Sequence, residues 1–176
     1  MAREHIISSE MIYEGKVVNL RLDTVEIDGK TYRREIVKHN GAAAIVPIDP
    51  DGNVIMVRQF RSGPQSELLE IPAGGLNPGE TPEEAARREL QEEIGYYPEE
   101  MINLGGFWVA AAYNTEYITI FLCRRMHPAE LPPDVDEHIT IERVPFKEAL
   151  QMALTARIND AKTVIGLTWA ARYLNR

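Results

Sequence analysis

The stretch Gly74-Gly75-Leu76-Asn77-Pro78-Gly79-Glu80-Thr81-Pro82-Glu83-Glu84-Ala85-Ala86-Arg87-Arg88-Glu89-Leu90-Gln91-Glu92-Glu93-Ile94-Gly95 holds the best-defined element of the 176-residue chain. Thr81 has the side chain of a helix N-cap, Pro82 suits the first helical position, and Glu84 completes a capping box with Thr81. Gly95 supplies the stop, because glycine takes the left-handed conformation that ends many helices. Between these limits Ala86, Leu90 and Ile94 recur every four residues, which predicts a helix whose apolar stripe packs on a sheet. Glu89, Glu92 and Glu93 fall at i, i+3 and i+4, so their carboxylates project from one side. Like charges so spaced repel by roughly a few tenths of a kcal/mol per pair. Either the face is simply solvated, or a dication sits among the carboxylates and makes the spacing favourable.

Outward from the helix, strand signals surround it on both sides. Asn19 to Ile27 and Thr31 to His39 flank Asp28-Gly29-Lys30, a hairpin signal, and read as an N-terminal antiparallel β-ribbon. Ala42 to Ile48 and Val54 to Phe60, around Asp49-Pro50-Asp51-Gly52-Asn53, read as a second hairpin apolar enough for a core sheet. Leu68 to Pro72 is a short strand running into Ala73-Gly74-Gly75. Further strands are expected at Leu104 to Val109, Glu116 to Cys123 and His138 to Val144, and helices at Phe146 to Ala156 and Ala161 to Tyr173. Three prolines make His127 to Asp136 a loop. The domain reading is a ribbon over residues 1–40 and a main domain over 41–176.

Composition narrows the partners. The formal net charge of −8 argues against nucleic acid, whose phosphate backbone needs a basic footprint. It leaves room for a small anionic substrate, provided that arginines or a metal ion supply local positive charge. No stretch reaches the length of a membrane span, and Met1 to Glu10 does not read as a signal peptide, so the cytoplasm is the expected address. Cys123, the one cysteine, lies in an apolar run and is expected to be a buried structural thiol. His5, His39, His127 and His138 have no partner at metal-ligand spacing.

The whole string Gly74-x5-Glu80-x7-Arg88-Glu89-Leu90-x-Glu92-Glu93-x-Gly95-Tyr96 resembles the complete signature box of the Nudix hydrolases. The resemblance implies an α/β (α+β) fold, an α/β/α sandwich with a mixed sheet holding a loop-helix-loop box. It implies Mg²⁺ or Mn²⁺ as the cofactor, bound by Glu89 and Glu93 with help from Glu92 and from the backbone carbonyl of Ala73. Glu92 and Glu93 are then also catalytic carboxylates, and Glu80 with Arg88 forms a structural pair that fixes the loop on the helix.

Upstream, Gln59-Phe60-Arg61 and Glu67-Leu68-Leu69-Glu70-Ile71-Pro72-Ala73-Gly74 are similar to the segments that enter the box in ADP-ribose pyrophosphatases and related nucleotide-sugar hydrolases. By that resemblance Arg61 contacts the substrate's phosphates and Glu70 lines the pocket; a plain surface arginine and a carboxylate paired with an arginine are the competing readings. The expected reaction is hydrolysis of ADP-ribose to AMP and ribose 5-phosphate. Ala110-Ala111-Ala112 stands where those enzymes usually carry a proline-containing stretch, which leaves GDP-mannose, ADP-glucose or another nucleoside diphosphate sugar open, as well as a non-catalytic ligand sensor. Trp108 and Tyr113 serve either for stacking or as ordinary core or loop aromatics, and Glu116 either lies near the metals or does not. Glu137 is the expected general base, with Asp136 as substitute and a solvated acidic loop around Asp134 as the alternative. The ribbon resembles the extra sheet through which relatives form homodimers, and Arg34 is either a residue lent to the partner's pocket or an exposed ribbon arginine.

Overall fold

A computed structural model describes residues 3–132 and 138–175, so Glu137, Asp134 and Asp136 lie outside the described residues. The chain divides into two compact units, one of residues 1–41 with 107–117 and one of residues 42–106 with 118–176.

The first unit is built on an antiparallel sheet of β1 (His5–Glu14), β2 (Asn19–Ile27) and β3 (Lys30–Lys38), in that order. Ile27 pairs with Lys30, and both residues of the intervening two-residue turn have positive φ, 50° at Asp28 and 76° at Gly29. That is the turn whose twist matches the strands it joins. The expected two-stranded ribbon is therefore corrected to three strands. β1 is exposed along its whole length and has no buried face, so its sequence lacks the polar-apolar alternation that marks a half-buried strand. The segment following the long strand of the second unit closes on β3 through Val37, whose N–H donates to Tyr113 O at 2.7 Å and whose carbonyl accepts from Thr115 N at 3.0 Å.

In the second unit β4 (Ala42–Pro47) is the organising strand. It lies between β7 (Ala73–Gly75) and β9 (Tyr117–Pro128) in a sheet of order β7-β4-β9-β8, where β8 is Tyr96–Trp108. It pairs antiparallel with β7 and parallel with β9, so the sheet is mixed. Every residue of β4 is buried, and the two faces meet different helices. Ala43 and Ile45 share a core with Ala86, Leu90 and Ile94 of α1 (Pro82–Ile94). Val46 turns the other way, to Gly166 of α3 (Ala161–Leu174), where a Cβ would lie 2.7 Å from Ile71 Cδ1 and 3.2 Å from Val46 Cγ2. A helix on each face makes this an α/β/α sandwich.

The hairpin expected between residues 42–48 and 54–60 is reduced to one antiparallel bridge, Ile48 to Val54. β5 (Asn53–Arg61) belongs to a separate sheet of order β10-β5-β6, with β10 at Thr140–Pro145 and β6 at Ser66–Glu70. An uninterrupted apolar strand such as β4 is at home in the interior of a sheet, where both edges are paired and both faces covered. The connection turns a corner, held by the Asp49 carboxylate accepting from Asp51 N and Asn53 N. α2 (Phe146–Leu154) then leads to α3. β8 begins well before the expected Leu104, and β9 extends through His127, where the sequence predicts a loop. Across these extensions Glu100 takes Arg124 at 2.8 Å and Arg125 at 3.1 Å, while Tyr96, Met101 and Met126 pack against the α1 core.

Cys123 is fully buried, and burial pushes its thiol up to about 12. No helix is long and apolar enough to cross a membrane among the described residues.

The capping box of α1 is present as expected, with Glu84 N donating to Thr81 Oγ1 and Thr81 N to Glu84 Oε2. Replacing Thr81 with Ala removes the acceptor for one of the helix's first N–H groups. The expected loss is about 1 kcal/mol of unfolding free energy in a urea titration; a stability equal to the parent's would show that the cap carries nothing.

Candidate active site

The box helix carries its acidic face against the loop that precedes it. Glu89 and Glu93 are 7% and 6% exposed, and burying two carboxylates requires compensating donors or charge. For Glu89 that compensation comes from Arg88. Its guanidinium forks onto Glu80 (Nε to Oε1 2.9 Å, Nη2 to Oε2 3.0 Å). It also donates from Nη1 to Glu89 at 2.5 Å and to Glu92 at 2.8 Å, and from Nη2 to the carbonyl of Gly75 at 2.9 Å. A guanidinium has five N–H bonds to give, and these contacts engage all of them. The Glu80–Arg88 pair expected from the sequence is thus in place. The same arginine further gathers two of the expected metal ligands, a role the spacing alone did not reveal.

Hydrogen bonding to Arg88 holds the Glu80 carboxyl below the usual carboxylate range, with Asn77 N adding to the effect. The Arg88 pKa is raised, first by the Glu80 hydrogen bonds and then, against the cost of burial, by Glu89 and Glu92.

Gly74 is the second structural requirement. A Cβ there would stand 1.9 Å from Glu89 Oε1, so any larger residue would displace the carboxylate from the backbone. Ala73 N donates to Glu93 Oε2 at 3.2 Å, which places the expected ligands Ala73, Glu89, Glu92 and Glu93 around one loop and one helical face. As they stand, no three acidic, cysteine or histidine side chains among the described residues form a metal-holding group. Glu89 and Glu92 are turned onto Arg88 and Glu93 onto Ala73. The donor set nonetheless fits a hard divalent cation, being all carboxylate and carbonyl oxygen, and Gly74 lets the Glu89 carboxylate lie against the loop backbone in the space that a side chain would take. A cavity of about 200 Å³ opens beside Glu92 and Glu93, bordered by Gly95, Glu130, Leu131 and Ile141.

Arg61 and Glu70 meet in a two-point ion pair at 2.9 and 2.7 Å. Glu70 is 1% exposed, whereas the Arg61 side chain keeps 38% of its surface open. Glu93 is close enough to Arg61 to help raise its pKa, after the Glu70 hydrogen bonds, so this pair borders the box. Lys162, which sequence reasoning missed, shares Glu70 Oε2 with Arg61 Nη2 and reaches Asp160 at 3.1 Å. Burial by itself pushes the Glu70 carboxyl up, but Arg61 and Lys162 together bring it below the ordinary range. The only signal in the sequence was Asp160-Ala161-Lys162-Thr163, which reads as a helix cap. Asp160 is indeed the N-cap of α3, accepting from Thr163 N, and Thr163 Oγ1 in turn accepts from Ile71 N at 3.0 Å. The start of α3 is thereby fastened to the strand end that leads into the box.

Arg34, Trp108, Tyr113 and Glu116 belong to the first unit. Arg34 forks onto Glu4 at 3.1 and 2.7 Å, in an exposed pair. Trp108 and Tyr113 are more than half exposed, and Trp108 stands edge-on to Tyr117 with ring centroids 5.0 Å apart. The Glu116 carboxylate accepts from Asn114 Nδ2 at 3.4 Å.

Because Glu80 titrates lower in the folded chain, its contribution to stability is complete above the unfolded carboxylate pKa. It disappears as pH falls through the lower folded value. Glu80→Gln should cost roughly 2 kcal/mol at neutral pH. Thermal unfolding of parent and variant should converge as pH is taken below about 4; a gap that stays constant with pH would contradict the ionic role of Glu80.

Comparison with known proteins identifies the family. Residues 38–165 match the NUDIX domain. An ADP-ribose pyrophosphatase from Bacillus subtilis (strain 168) is 36% identical over 169 residues, covering 94% of this chain and 91% of that protein. A methanol dehydrogenase activator from Bacillus methanolicus is 38% identical over 169 residues, with 94% and 91% covered. The crystal structure of an ADP compounds hydrolase aligns with a TM-score of 0.88 at 26% identity, over 98% of this chain and 95% of that one. With its signature glutamates gathered by Arg88 at the foot of a mixed sheet, and with relatives alike along nearly its whole length, the chain belongs to the NUDIX domain family.

Proposed function

We propose that this protein is a pyrophosphohydrolase that cuts the diphosphate bond of ADP-ribose to give AMP and ribose 5-phosphate, with Mg²⁺ or Mn²⁺ as its cofactor. The observation that carries the reading is the clustering of Glu89, Glu92, Glu93 and Ala73 beside Gly74, with Arg61 on its border. A divalent cation bound to such a set supplies charge neutralisation for a diphosphate and a water of lowered pKa.

The protein's own residues do the rest. Arg61, with its open guanidinium surface, holds the phosphates, and Glu70 fixes its orientation. Glu92 and Glu93 are the catalytic carboxylates of the helix. The oxygen of water bonds to one phosphorus, and the bond from that phosphorus to the bridging oxygen breaks. The water's proton passes to a carboxylate within direct or one-water reach, for which Glu137 is the residue we assign from the sequence.

A nucleoside diphosphate sugar such as GDP-mannose is the second reading. It is favoured by the alanines at 110–112 and by relatives named GDP-mannose pyrophosphatase. A sensor without catalysis is disfavoured, since binding alone gives no reason to bury two carboxylates on one helix. The substrate is thus a small nucleotide derivative rather than nucleic acid or membrane lipid, and the cytoplasm is the compartment this reading assigns.

We further propose that the protein acts as a homodimer through the first unit, residues 1–40 supplying the contact. Ile6, Ile7, Ile12 and Tyr13 of β1 are each at least half exposed, as suits a surface that a second copy covers. Arg34 in this reading reaches the partner's pocket once its exposed pair with Glu4 opens, at the small cost of a surface ion pair.

Incubation with ADP-ribose and Mg²⁺ should release AMP, and Glu93→Gln should lower that rate by roughly a hundredfold or more with an unchanged circular dichroism spectrum. Near-parental turnover in the variant would remove the assignment of Glu93. A screen that found GDP-mannose cleaved far faster than ADP-ribose would move the conclusion to the second reading. Light scattering should give twice the chain mass, and a clean monomer at micromolar concentration would end the dimer proposal.

A further inference from the structure

Lys162 occupies a position that its own helix disfavours. It is the second residue of α3, where the positive end of the helix dipole repels a cation. Its side chain is only 13% exposed, so the ammonium has given up most of its water. Two carboxylates offset these costs: Glu70, itself 1% exposed, and Asp160 at 3.1 Å. The four charges Arg61, Glu70, Lys162 and Asp160 sum to zero. Of the four, Arg61 keeps the largest open surface, and it borders Glu93.

We propose that Lys162 is a positioning residue for substrate binding: by balancing the charge of buried Glu70 at the oxygen it shares with Arg61, it lets Glu70 hold Arg61 by both oxygens while leaving Arg61's positive charge available to a diphosphate. Without Lys162 the cluster carries a net negative charge next to the box glutamates, and Glu70 draws on Arg61 alone. An anionic substrate then meets a weaker attraction at the same place, while the residues that act on the reacting phosphorus are untouched. The effect therefore falls on binding and not on the chemical step. Lys162→Arg keeps the charge and should keep most of the function, which a purely steric role would not allow. The inference rests on the reading of Arg61 as the contact for substrate phosphates.

The test is steady-state kinetics on ADP-ribose with Mg²⁺ for Lys162→Met, Lys162→Arg, Glu70→Gln and the double variant Glu70→Gln/Lys162→Met. Calorimetric binding of ADP-ribose in EDTA, where no turnover occurs, accompanies it. Lys162→Met should raise KM by about tenfold with kcat within about threefold of the parent, and weaken the EDTA binding in parallel. Lys162→Arg should stay within about threefold in KM. Once Glu70 is neutral, Lys162 keeps only Asp160 as a partner and no longer acts on the group that holds Arg61, so the double variant should match Glu70→Gln within about twofold in KM. An unchanged KM in Lys162→Met, a loss confined to kcat, or a further loss of about fivefold or more on adding Lys162→Met to Glu70→Gln would each overturn the proposal. Should Lys162→Met fail to fold, the Glu70→Gln pair decides by the same criterion. Parent protein that does not cleave ADP-ribose defeats the functional reading itself, and is recognised before any variant is compared.

Discussion

The guanidinium of Arg88 is the contact on which the site depends. Three carboxylates and a loop carbonyl converge on it, and without it Glu80, Glu89 and Glu92 would repel one another across a partly buried surface. One delocalised, always charged group can satisfy that demand because its donors lie in a rigid fork; a lysine has neither the number nor the geometry. The loop at residues 74–80 consequently has a fixed position on α1, and Gly74 can bring its backbone against Glu89. A cation entering such a site would compete with an arginine for the same oxygens, so the charge of the helix face is matched before and after loading.

A second charged cluster performs the equivalent task for the strand end. Glu70 would be costly to bury alone, and removing either of its partners would leave a charge in a poor environment. The buried hydrogen bond from Ile71 N to Thr163 Oγ1 adds a neutral tie between the same elements. α3 thus does more than cover the sheet with Gly166. Its first turn anchors the chain three residues before the box begins, linking the packing of one helix to the geometry presented by another.

How much of this was legible in the sequence varied with the kind of signal. α1 was readable to the residue because its limits are set by local chemistry, the Thr81 cap and the glycine at 95, whose φ is 75°. The Asp28-Gly29 turn was readable for the same reason. β1 was not, since a strand with neither face buried leaves no alternation. The parting of β4 from β5 was hidden as well: the turn residues Asp49 to Asn53 signal a change of direction, but whether the strands then pair depends on which partners compete for β4. Here β7 and β9 take both of its edges. In the candidate site, the shared helical face of Glu89, Glu92 and Glu93 was legible, as was the pairing of Glu70 with a nearby arginine. Lys162 was not, because it comes from 92 residues further along the chain and only tertiary packing brings it to Glu70.

The solitary thiol of Cys123 lies under the α1 core, in the strand that pairs with β4. A sulfur so shielded, and so reluctant to ionise, is a poor nucleophile toward maleimides or iodoacetamide. The native chain therefore offers a quiet chemical background. A cysteine placed on an open position such as Lys16 or Thr31 could carry a fluorophore or spin label as the single reactive handle, without first removing Cys123.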